Sequence, residues 1–204
     1  MTDTIDRPGP VRLPAAERRE QLLRVALESF AAHGYHGTSM NDVAEAAGVT
    51  KPVLYQHFDS KKALYTELVR ELGAGLEQQI VAAVAEVDGP RQQVEAGFRA
   101  YFRWATAQAD AFRVLFAERN RTDLELAAAV VKVESMVADT VASLIQVEGL
   151  STAEQQVLAY GVVGLAEATS RRWLVEGLGP GTDADAFAQI VAELAWSGLR
   201  GIHR

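Results

Sequence analysis

Residues 38–61 read TSMNDVAEAAGVTKPVLYQHFDSK, and this stretch predicts two short helices joined by a tight turn. Thr38 can cap a first helix over residues 39–47, because its hydroxyl can accept a hydrogen bond from a backbone amide of the first turn. Gly48 can end that helix, since glycine adopts positive φ without a steric penalty. The order of cap, short helix and glycine turn is typical of a helix-turn-helix.

A second short helix is predicted after the turn. Thr50 can cap it, and Pro52 fits its first turn, where a missing backbone amide does little harm. One side of this helix is apolar, and the other carries side chains that can form hydrogen bonds: Lys51, Tyr55, Gln56 and His57. Such a helix can enter a DNA major groove, but a purely structural hairpin would have the same spacing. A helix of about seven residues also needs a scaffold, because it is unstable alone.

A longer set of residues resembles the DNA-binding domain of TetR-type transcriptional repressors. The resemblance rests on six short runs, which are residues 30–35 (FAAHGY), 38–40 (TSM), 43–44 (VA), 47–49 (AGV), 54–58 (LYQHF) and 60–64 (SKKAL). It implies a DNA-binding function for this part of the chain. The rest of the chain resembles the family only in length and helical pattern.

Composition excludes several other classes of protein. The chain has no cysteine, which removes disulfides, thiolate catalysis and zinc–thiolate sites and favours a reducing cytoplasm. It contains no HExxH, GxSxG, P-loop or GxGxxG motif, so we expect neither an enzyme nor a cofactor. His33 and His36 have no third ligand nearby in sequence, so we expect no metal site. The sequence has no run of 18 uncharged apolar residues, so we expect no membrane span.

The charge of the chain is unevenly distributed. The net charge is −7, which is unexpected for a DNA-binding protein. Residues 1–65 are neutral overall, so the whole excess of acid lies in residues 66–204. This asymmetry places the negative charge away from the part expected to contact DNA.

We predict an all-α fold with three parts. Residues 1–14 form an arm whose Arg7 and Arg12 either belong to a frayed terminus or reach DNA phosphates or a minor groove. Residues 15–65 form a three-helix helix-turn-helix domain, with a scaffold helix over residues 15–33 that Gly34 ends. Residues 66–204 form a larger helical domain for ligand binding and dimerisation.

A long helix is predicted to connect the two domains. Ser60 can cap it, and leucines or other apolar residues recur every four residues toward Val87. If continuous, it would extend about 40 Å from the DNA domain. Gly73 and Gly75 either permit a bend in its middle or allow close packing.

The remaining helices are predicted from breaks, caps and apolar stripes. Their approximate ranges are 91–109, 111–118, 151–176 and 183–201, and one further helix begins at a cap at Thr122 or Asp123 and ends near Gly149. Ser151 and Glu154 form a predicted capping box at the start of the helix over residues 151–176. Residues 118–121 are expected to be an exposed linker. The resemblance implies that the last two long helices pair with those of a second subunit, which makes a homodimer. Burial within one subunit is the alternative.

Candidate DNA contacts follow from residue type and position. Helix N-termini and hydroxyl groups suit phosphates, whereas lysine, glutamine and small apolar groups suit base edges. The candidates are Thr38, Ser39, Thr50, Lys51, Pro52, Val53, Tyr55, Gln56, His57 and Lys61. The resemblance implies that Tyr55 contacts a phosphate and that the first turn of its helix reads bases.

Candidate ligand contacts follow from a concentration of aromatic residues between positions 98 and 116. Such a cluster is either packed core or the wall of a pocket for a flat or apolar ligand. The candidates are Phe98, Tyr101, Phe102, Phe112, Phe116, Met136, Tyr160, Glu167 and Arg171. Glu167 and Arg171 could instead form a surface ion pair one turn apart.

The sequence therefore predicts a dimeric repressor that a small apolar or aromatic ligand releases from a palindromic DNA operator. A helical interaction or carrier protein with a structural hairpin is the alternative. A third possibility retains the DNA domain and replaces the small molecule by a protein partner.

Overall fold

The computed structural model describes residues 13–117, 124–145, 149–174 and 183–202, and within these ranges every regular element is a helix. The arm with Arg7 and Arg12, the predicted linker 118–121 and the predicted caps at Thr122 and Asp123 lie outside the described residues. The all-α fold class is confirmed.

Three helices form the N-terminal unit: α1 (Ala15–Gly37), α2 (Met40–Ala46) and α3 (Lys51–Tyr55). Apolar residues spaced by one helical turn give α1 a buried side. Helix α1 packs against α2, and α2 packs against α3. The shared core contains Leu22, Ala26, Phe30, Val43, Leu54 and Phe58. This core is the scaffold that a helix as short as α3 requires.

Gly34 does not end α1, as the sequence predicts, but bends it. Its φ of 70° and ψ of 172° interrupt the helical geometry, which resumes as far as Gly37. An L-residue with a side chain would be strained at this positive φ, so glycine permits the bend. The last turn of α1 thereby changes direction before the chain enters α2.

The cap of α2 is Ser39, and the predicted cap Thr38 is wrong by one residue. Ser39 Oγ accepts a hydrogen bond from the Asp42 amide at 3.2 Å, and the Ser39 amide donates to Asp42 Oδ2 at 2.8 Å. These reciprocal bonds form a capping box. Thr50 occupies the cap position of α3 without a side-chain hydrogen bond, and α3 is five residues long rather than seven.

Helix α4 (Lys61–Ala85) connects the N-terminal unit to the rest of the molecule. Ser60 caps it as predicted, with Oγ accepting from the Ala63 amide at 3.0 Å. Its 25 residues extend about 37 Å. Gly73 serves close packing, because a Cβ there would lie 2.5 Å from Val133 Cγ2.

Five further helices form the body. They are α5 (Pro90–Ala107), α6 (Ala109–Phe112), α7 (Leu124–Leu144), α8 (Thr152–Leu174) and α9 (Ala184–Leu199), and a π-helical segment (Arg113–Ala117) follows α6. The single helix predicted over residues 111–118 is thus a short α-helix that continues as a π-helix. The predicted capping box before α8 is confirmed, since the Ser151 amide donates to Glu154 Oε2 at 2.9 Å.

The body is arranged around α4 and α5. Helix α5 packs against α4 and α9, and α7 packs against α4 and α8. Among the described residues, no helix is long and apolar enough to cross a membrane, and no group of three His, Asp or Glu side chains is suited to a metal ion.

Candidate DNA interface and internal cavity

Helix α3 presents a polar surface because its apolar side is held in the N-terminal core. Leu54 and Phe58 are buried, and the Arg19 guanidinium lies 4.8 Å from the centroid of the Phe58 ring. The opposite side is open to solvent. The exposed candidates are Thr50, Lys51, Pro52, Tyr55 and Gln56, and Val53 and His57 are half-buried beside them. Seven of the predicted DNA contacts therefore form one continuous surface.

Ser39 lies at the N-terminus of α2 and is exposed, but its own amide is engaged by Asp42. Hydrogen bonds from the backbone and the hydroxyl of Ser39 lower the pKa of the Asp42 carboxyl below its ordinary value of 3.8. Ser39 Oγ accepts from the Asp42 amide, and its hydroxyl bonds the Asp42 carboxyl, so a phosphate contact by this side chain would compete with the capping box.

Thr38 is not placed to contact DNA through its side chain. It is only 2% exposed, and its hydroxyl lies within hydrogen-bond distance of the Gly34 carbonyl at 2.9 Å and the Ser29 carbonyl at 3.1 Å. A buried hydroxyl needs such a partner, which explains its position. Thr38 therefore fixes the connection between α1 and α2.

Lys61 is also engaged within the protein. Its ammonium donates to the Tyr35 and Thr38 carbonyls, both at 2.8 Å, and lies 4.3 Å from the centroid of the Tyr35 ring. These contacts join the first turn of α4 to the end of α1. The predicted phosphate contact through this side chain would require them to break.

A cavity of about 400 Å³ lies in the body between α4, α5, α7, α8 and α9. Its wall is mostly aliphatic. The lining includes Leu76, Ile80 and Val84 of α4, Phe98 and Tyr101 of α5, and Phe116 of the π-helical segment. It also includes Val133, Val137, Val141 and Leu144 of α7, Val162, Val163 and Ala166 of α8, and Trp196 and Leu199 of α9. The twelve-residue interval from Val133 to Ile145, both on the lining, corresponds to about 18 Å along a helix. The cavity is therefore elongated.

Few polar side chains line this cavity. They are Gln93, Glu134, Glu167 and Arg200, together with the hydroxyl end of Tyr101. The Tyr101 hydroxyl is hydrogen-bonded to Ser170 Oγ at 3.0 Å, and Ser170 Oγ donates to the Glu167 carbonyl. Burial raises the pKa of Tyr101 above its ordinary value, so this phenol stays protonated. A few polar groups in an apolar wall can fix the orientation of a bound molecule.

The structure places four of the nine predicted ligand residues on this cavity: Phe98, Tyr101, Phe116 and Glu167. The others lie elsewhere. Phe102 is fully buried against Trp173 and Phe187, and Phe112 is buried against Phe116 without lining the cavity. Met136 is half-buried on α7 but is not among the residues that line the cavity. Sequence alone could not separate these positions, because packed core and cavity wall use the same apolar residue types.

Two of the predicted polar contacts are explained by other partners. Tyr160 is 46% exposed, and its hydroxyl is hydrogen-bonded to Ser135 Oγ at 2.8 Å. Arg171 forms an ion pair with Glu167 at 3.5 Å, which is the pairing that the sequence left open. The aliphatic wall from α4 and α7 was missed. Its signal is the row of apolar residues on each helix, which by itself indicates only that one side of the helix is removed from water.

Comparisons with known proteins agree with this geometry. The family model "Bacterial regulatory proteins, tetR family" matches residues 22–68, and "Tetracyclin repressor-like, C-terminal domain" matches residues 90–198. The HTH-type transcriptional activator FasR of Mycolicibacterium smegmatis is 33% identical over 189 residues, covering 92% of this chain and 85% of its own.

Solved structures show the same fold. A TetR-like transcriptional regulator from Rhodococcus sp. RHA1 has a TM-score of 0.75 at 26% identity, covering 94% of this chain and 100% of its own. The transcriptional regulator FadR from Bacillus subtilis, in complex with stearoyl-CoA, has a TM-score of 0.77 at 19% identity, covering 90% and 99%. These proteins are DNA-binding regulators rather than enzymes. The chain belongs to the TetR family of bacterial transcriptional regulators.

Proposed function

We propose that this protein is a cytoplasmic, homodimeric repressor that leaves a palindromic operator when an elongated apolar ligand fills the body cavity. The observation that carries the proposal is the dual contact of α4. Lys61 at its start donates to one carbonyl in the last turn of α1 and to the Thr38 carbonyl just after it, and Leu76, Ile80 and Val84 farther along α4 line the cavity. A shift of this one helix would move the N-terminal unit.

The proposed DNA interface is the open side of α3 together with Ser39. The residues assigned to base edges are Thr50, Lys51, Pro52, Val53 and Gln56, and those assigned to the phosphate backbone are Tyr55 and His57. The support is their exposure on one side of a helix whose other side is buried. Thr38 and Lys61 act by positioning this surface.

The proposed dimer interface lies on α8 and α9. These helices carry apolar side chains that are well exposed in the single chain, namely Val157, Tyr160, Ile190 and Leu194. Gly161 and Gly164 have open space where a Cβ would lie, which permits close approach of a second backbone. A two-fold dimer would set two α3 helices about 34 Å apart, which predicts a palindromic operator.

The effector is proposed to be an acyl thioester with an alkyl chain. The elongated cavity has a largely aliphatic wall, which fits a flexible chain better than the flat aromatic ligand that sequence reasoning allowed. The FadR structure from Bacillus subtilis, with which this chain shares its fold, contains stearoyl-CoA. A ligand acts only through its different affinities for the two conformations of the protein.

The test begins with selection of bound sequences from random DNA, followed by a mobility-shift titration with stearoyl-CoA. We expect the selection to recover a palindromic site, and we expect stearoyl-CoA to release the protein from it. Val141→Trp should fill the cavity and keep operator binding while abolishing release, because Val141 lines the cavity and is half-buried. Val131→Trp on the same helix is the control, since Val131 is 54% exposed and outside the cavity.

If stearoyl-CoA released Val141→Trp and Val131→Trp from the operator equally, the assignment of the ligand to this cavity would be contradicted. Absence of salt-dependent, sequence-selective binding would contradict the DNA interface. A reporter gene placed beside the recovered operator then gives the sign of regulation. We expect derepression on ligand addition, whereas loss of expression would make the protein an activator, like its relative FasR.

A further inference from the structure

Arg19 in the first half of α1 contacts α4 and the segment just after α3 at the same time. Its guanidinium carbon lies 4.8 Å from the centroid of the Phe58 ring. Its two terminal nitrogens lie 3.1 Å from Glu67 Oε1 and 3.4 Å from Glu71 Oε1, both on α4. We call these four residues the Arg19 cluster. None of them belongs to the proposed DNA interface or lines the body cavity.

The Arg19 cluster joins two helices that have their main packing contacts elsewhere. Helix α3 packs mainly against α2, and within the N-terminal unit α4 packs against α1. Phe58 is tied to the last turn of α3, because its amide donates to the Leu54 carbonyl at 3.1 Å. Arg19 therefore provides a side-chain connection from the end of α3 to α4.

The geometry of this connection suits arginine. A planar guanidinium can face an aromatic ring while its N–H groups point outward to carboxylates, which a lysine ammonium cannot do equally well. The Arg19 side chain is 35% exposed and Phe58 is buried, so solvent screens these contacts only in part. A hydrogen bond from Arg70 and the charge of Arg19 lower the pKa of Glu67 below its ordinary value, so this carboxylate is charged at neutral pH.

We propose that Arg19 is a positioning residue for DNA binding, which holds α3 in an orientation set by α4. The proposal rests on the proposed DNA interface and does not depend on the effector. When α4 shifts, Glu67 and Glu71 move the Arg19 guanidinium, and the Phe58 ring beneath it moves with the end of α3. Without the cluster, α3 keeps its packing on α2 but loses this connection to α4.

A direct contact between Arg19 and a DNA phosphate is the competing role. The guanidinium already faces two carboxylates, so a phosphate would have to compete with both. The two roles differ in the salt dependence of binding, since each phosphate contact contributes to the slope of log K against log salt and a positioning residue does not.

The first test is an anisotropy titration of the selected operator at several salt concentrations. Arg19→Gln should lower the affinity about three- to tenfold, as expected for loss of partly exposed ionic and cation–π contacts, and should leave the slope unchanged. Arg24→Gln is the control, because Arg24 is exposed on α1 and forms no ion pair among the described residues. A shallower slope for Arg19→Gln, or an equal loss in Arg24→Gln, would overturn the proposal.

A second variant gives a test of sign. Removal of an acidic side chain normally strengthens DNA binding, because repulsion by the phosphates decreases. The Arg19 cluster predicts the opposite for Glu67→Gln, and its loss should not add to that of Arg19→Gln in the double variant. Glu28→Gln is the control, since Glu28 is exposed on α1 and forms no ion pair among the described residues. Tighter binding by Glu67→Gln, or fully additive losses, would contradict the cluster.

The third test needs no DNA. The chain has no cysteine, so spin labels can be attached only at introduced cysteines, and we choose Gln56→Cys after α3 and Gln78→Cys on α4, both exposed. Arg19→Gln should broaden the distance distribution measured by double electron–electron resonance, and Arg24→Gln should not. An unchanged distribution would overturn the proposal.

The two kinds of measurement separate this proposal from the proposed DNA interface. If no operator is recovered, the DNA interface fails, and the label distances still show whether Arg19 orients α3. If the distribution broadens while operator affinity stays the same, the cluster orients α3 without serving DNA binding, and the positioning role is overturned.

Discussion

Gly73 shows how one missing side chain sets the distance between two helices. A Cβ at this position would lie 2.5 Å from Val133 Cγ2 and 2.6 Å from Cγ1, both closer than normal contact. We therefore expect Gly73→Ala to destabilise the protein. Overpacking should cost about 1–3 kcal/mol, and the higher helix propensity of alanine should offset about 1 kcal/mol of that cost. The measurement is the free energy of unfolding in urea.

Gly75 is the matched control, two residues away on the same helix. An added Cβ there meets no atom within 4 Å, so Gly75→Ala should stabilise the protein by up to about 1 kcal/mol. Opposite signs for the two variants are the expected result. If both variants stabilise the protein, α4 and α7 are not held in the close contact described.

Lys61 and Lys51 separate a positioning role from a DNA contact. Lys61→Ala removes two hydrogen bonds to carbonyl groups, so we expect a loss of about 1–3 kcal/mol in the free energy of unfolding. Lys51 is exposed, and Lys51→Ala should leave stability unchanged while costing about 1–3 kcal/mol of operator binding. Urea unfolding and fluorescence-anisotropy titration at several salt concentrations measure both effects.

The salt dependence distinguishes the two roles. A lysine that neutralises a phosphate contributes to the slope of log K against log salt, and a positioning lysine does not. We expect the slope for Lys61→Ala to equal that of the parent protein. A shallower slope for Lys61→Ala would instead show that Lys61 contacts a DNA phosphate. Equal loss by Lys51→Ala on operator and random DNA would remove its base-reading role.

At the scale of the element, α2 depends on a carboxylate at its N-terminus. Hydrogen bonds from Ser39 lower the folded-state pKa of Asp42. The charged Asp42 carboxylate therefore stabilises the folded chain at pH values above its ordinary pKa of 3.8. That contribution is lost as the pH falls through the lower folded-state pKa. Asp42→Asn should therefore be less stable than the parent protein at neutral pH, and the difference should shrink as the pH falls below 3.8.

Urea unfolding of both proteins at a series of pH values measures this difference. A constant difference down to the most acidic pH would mean that the Asp42 carboxylate does not act through its charge. A difference that widens with acid would reverse the sign of the expected linkage.

The helices that the sequence predicts most closely are those with local signals at their ends. Ser60 and Ser151 cap α4 and α8 at the expected positions, because a cap depends only on residues within one turn. Helix ends without such a signal shift. Gly34 has the positive φ expected of a terminating glycine, yet α1 resumes after it as far as Gly37. Adjacent Thr38 and Ser39 are chemically equivalent caps, and only the fold decides between them.

The cavity was less predictable than the helices for a physical reason. An apolar row on a helix shows that a side is removed from water, but it does not show whether another side chain or an empty volume faces it. Phe98 and Phe102, one turn apart on α5, illustrate this. The first lines the cavity, and the second packs against Trp173 and Phe187. Only the three-dimensional arrangement separates them.

At the scale of the whole molecule, the single chain exposes apolar residues that a second chain would bury. Ile190 and Leu194 lie one turn apart on α9 and are 66% and 62% exposed. Placing glutamates at both positions would put four charges into a two-fold interface, where desolvation and repulsion oppose association. The double variant Ile190→Glu/Leu194→Glu should therefore be a folded monomer, whereas the parent protein should be a dimer by sedimentation equilibrium.

Loss of dimerisation should also weaken binding to operator DNA. One α3 helix contacts a single half-site, and linking two of them typically raises affinity by about 10²–10⁴-fold. We expect the double variant to lose operator affinity within that range while retaining the helical circular-dichroism spectrum of the parent protein. Val81→Glu on α4 is the control, because Val81 is 47% exposed and outside the proposed interface. A double variant that stays dimeric would move the interface away from α9, and a monomer with unchanged operator affinity would contradict the palindromic arrangement.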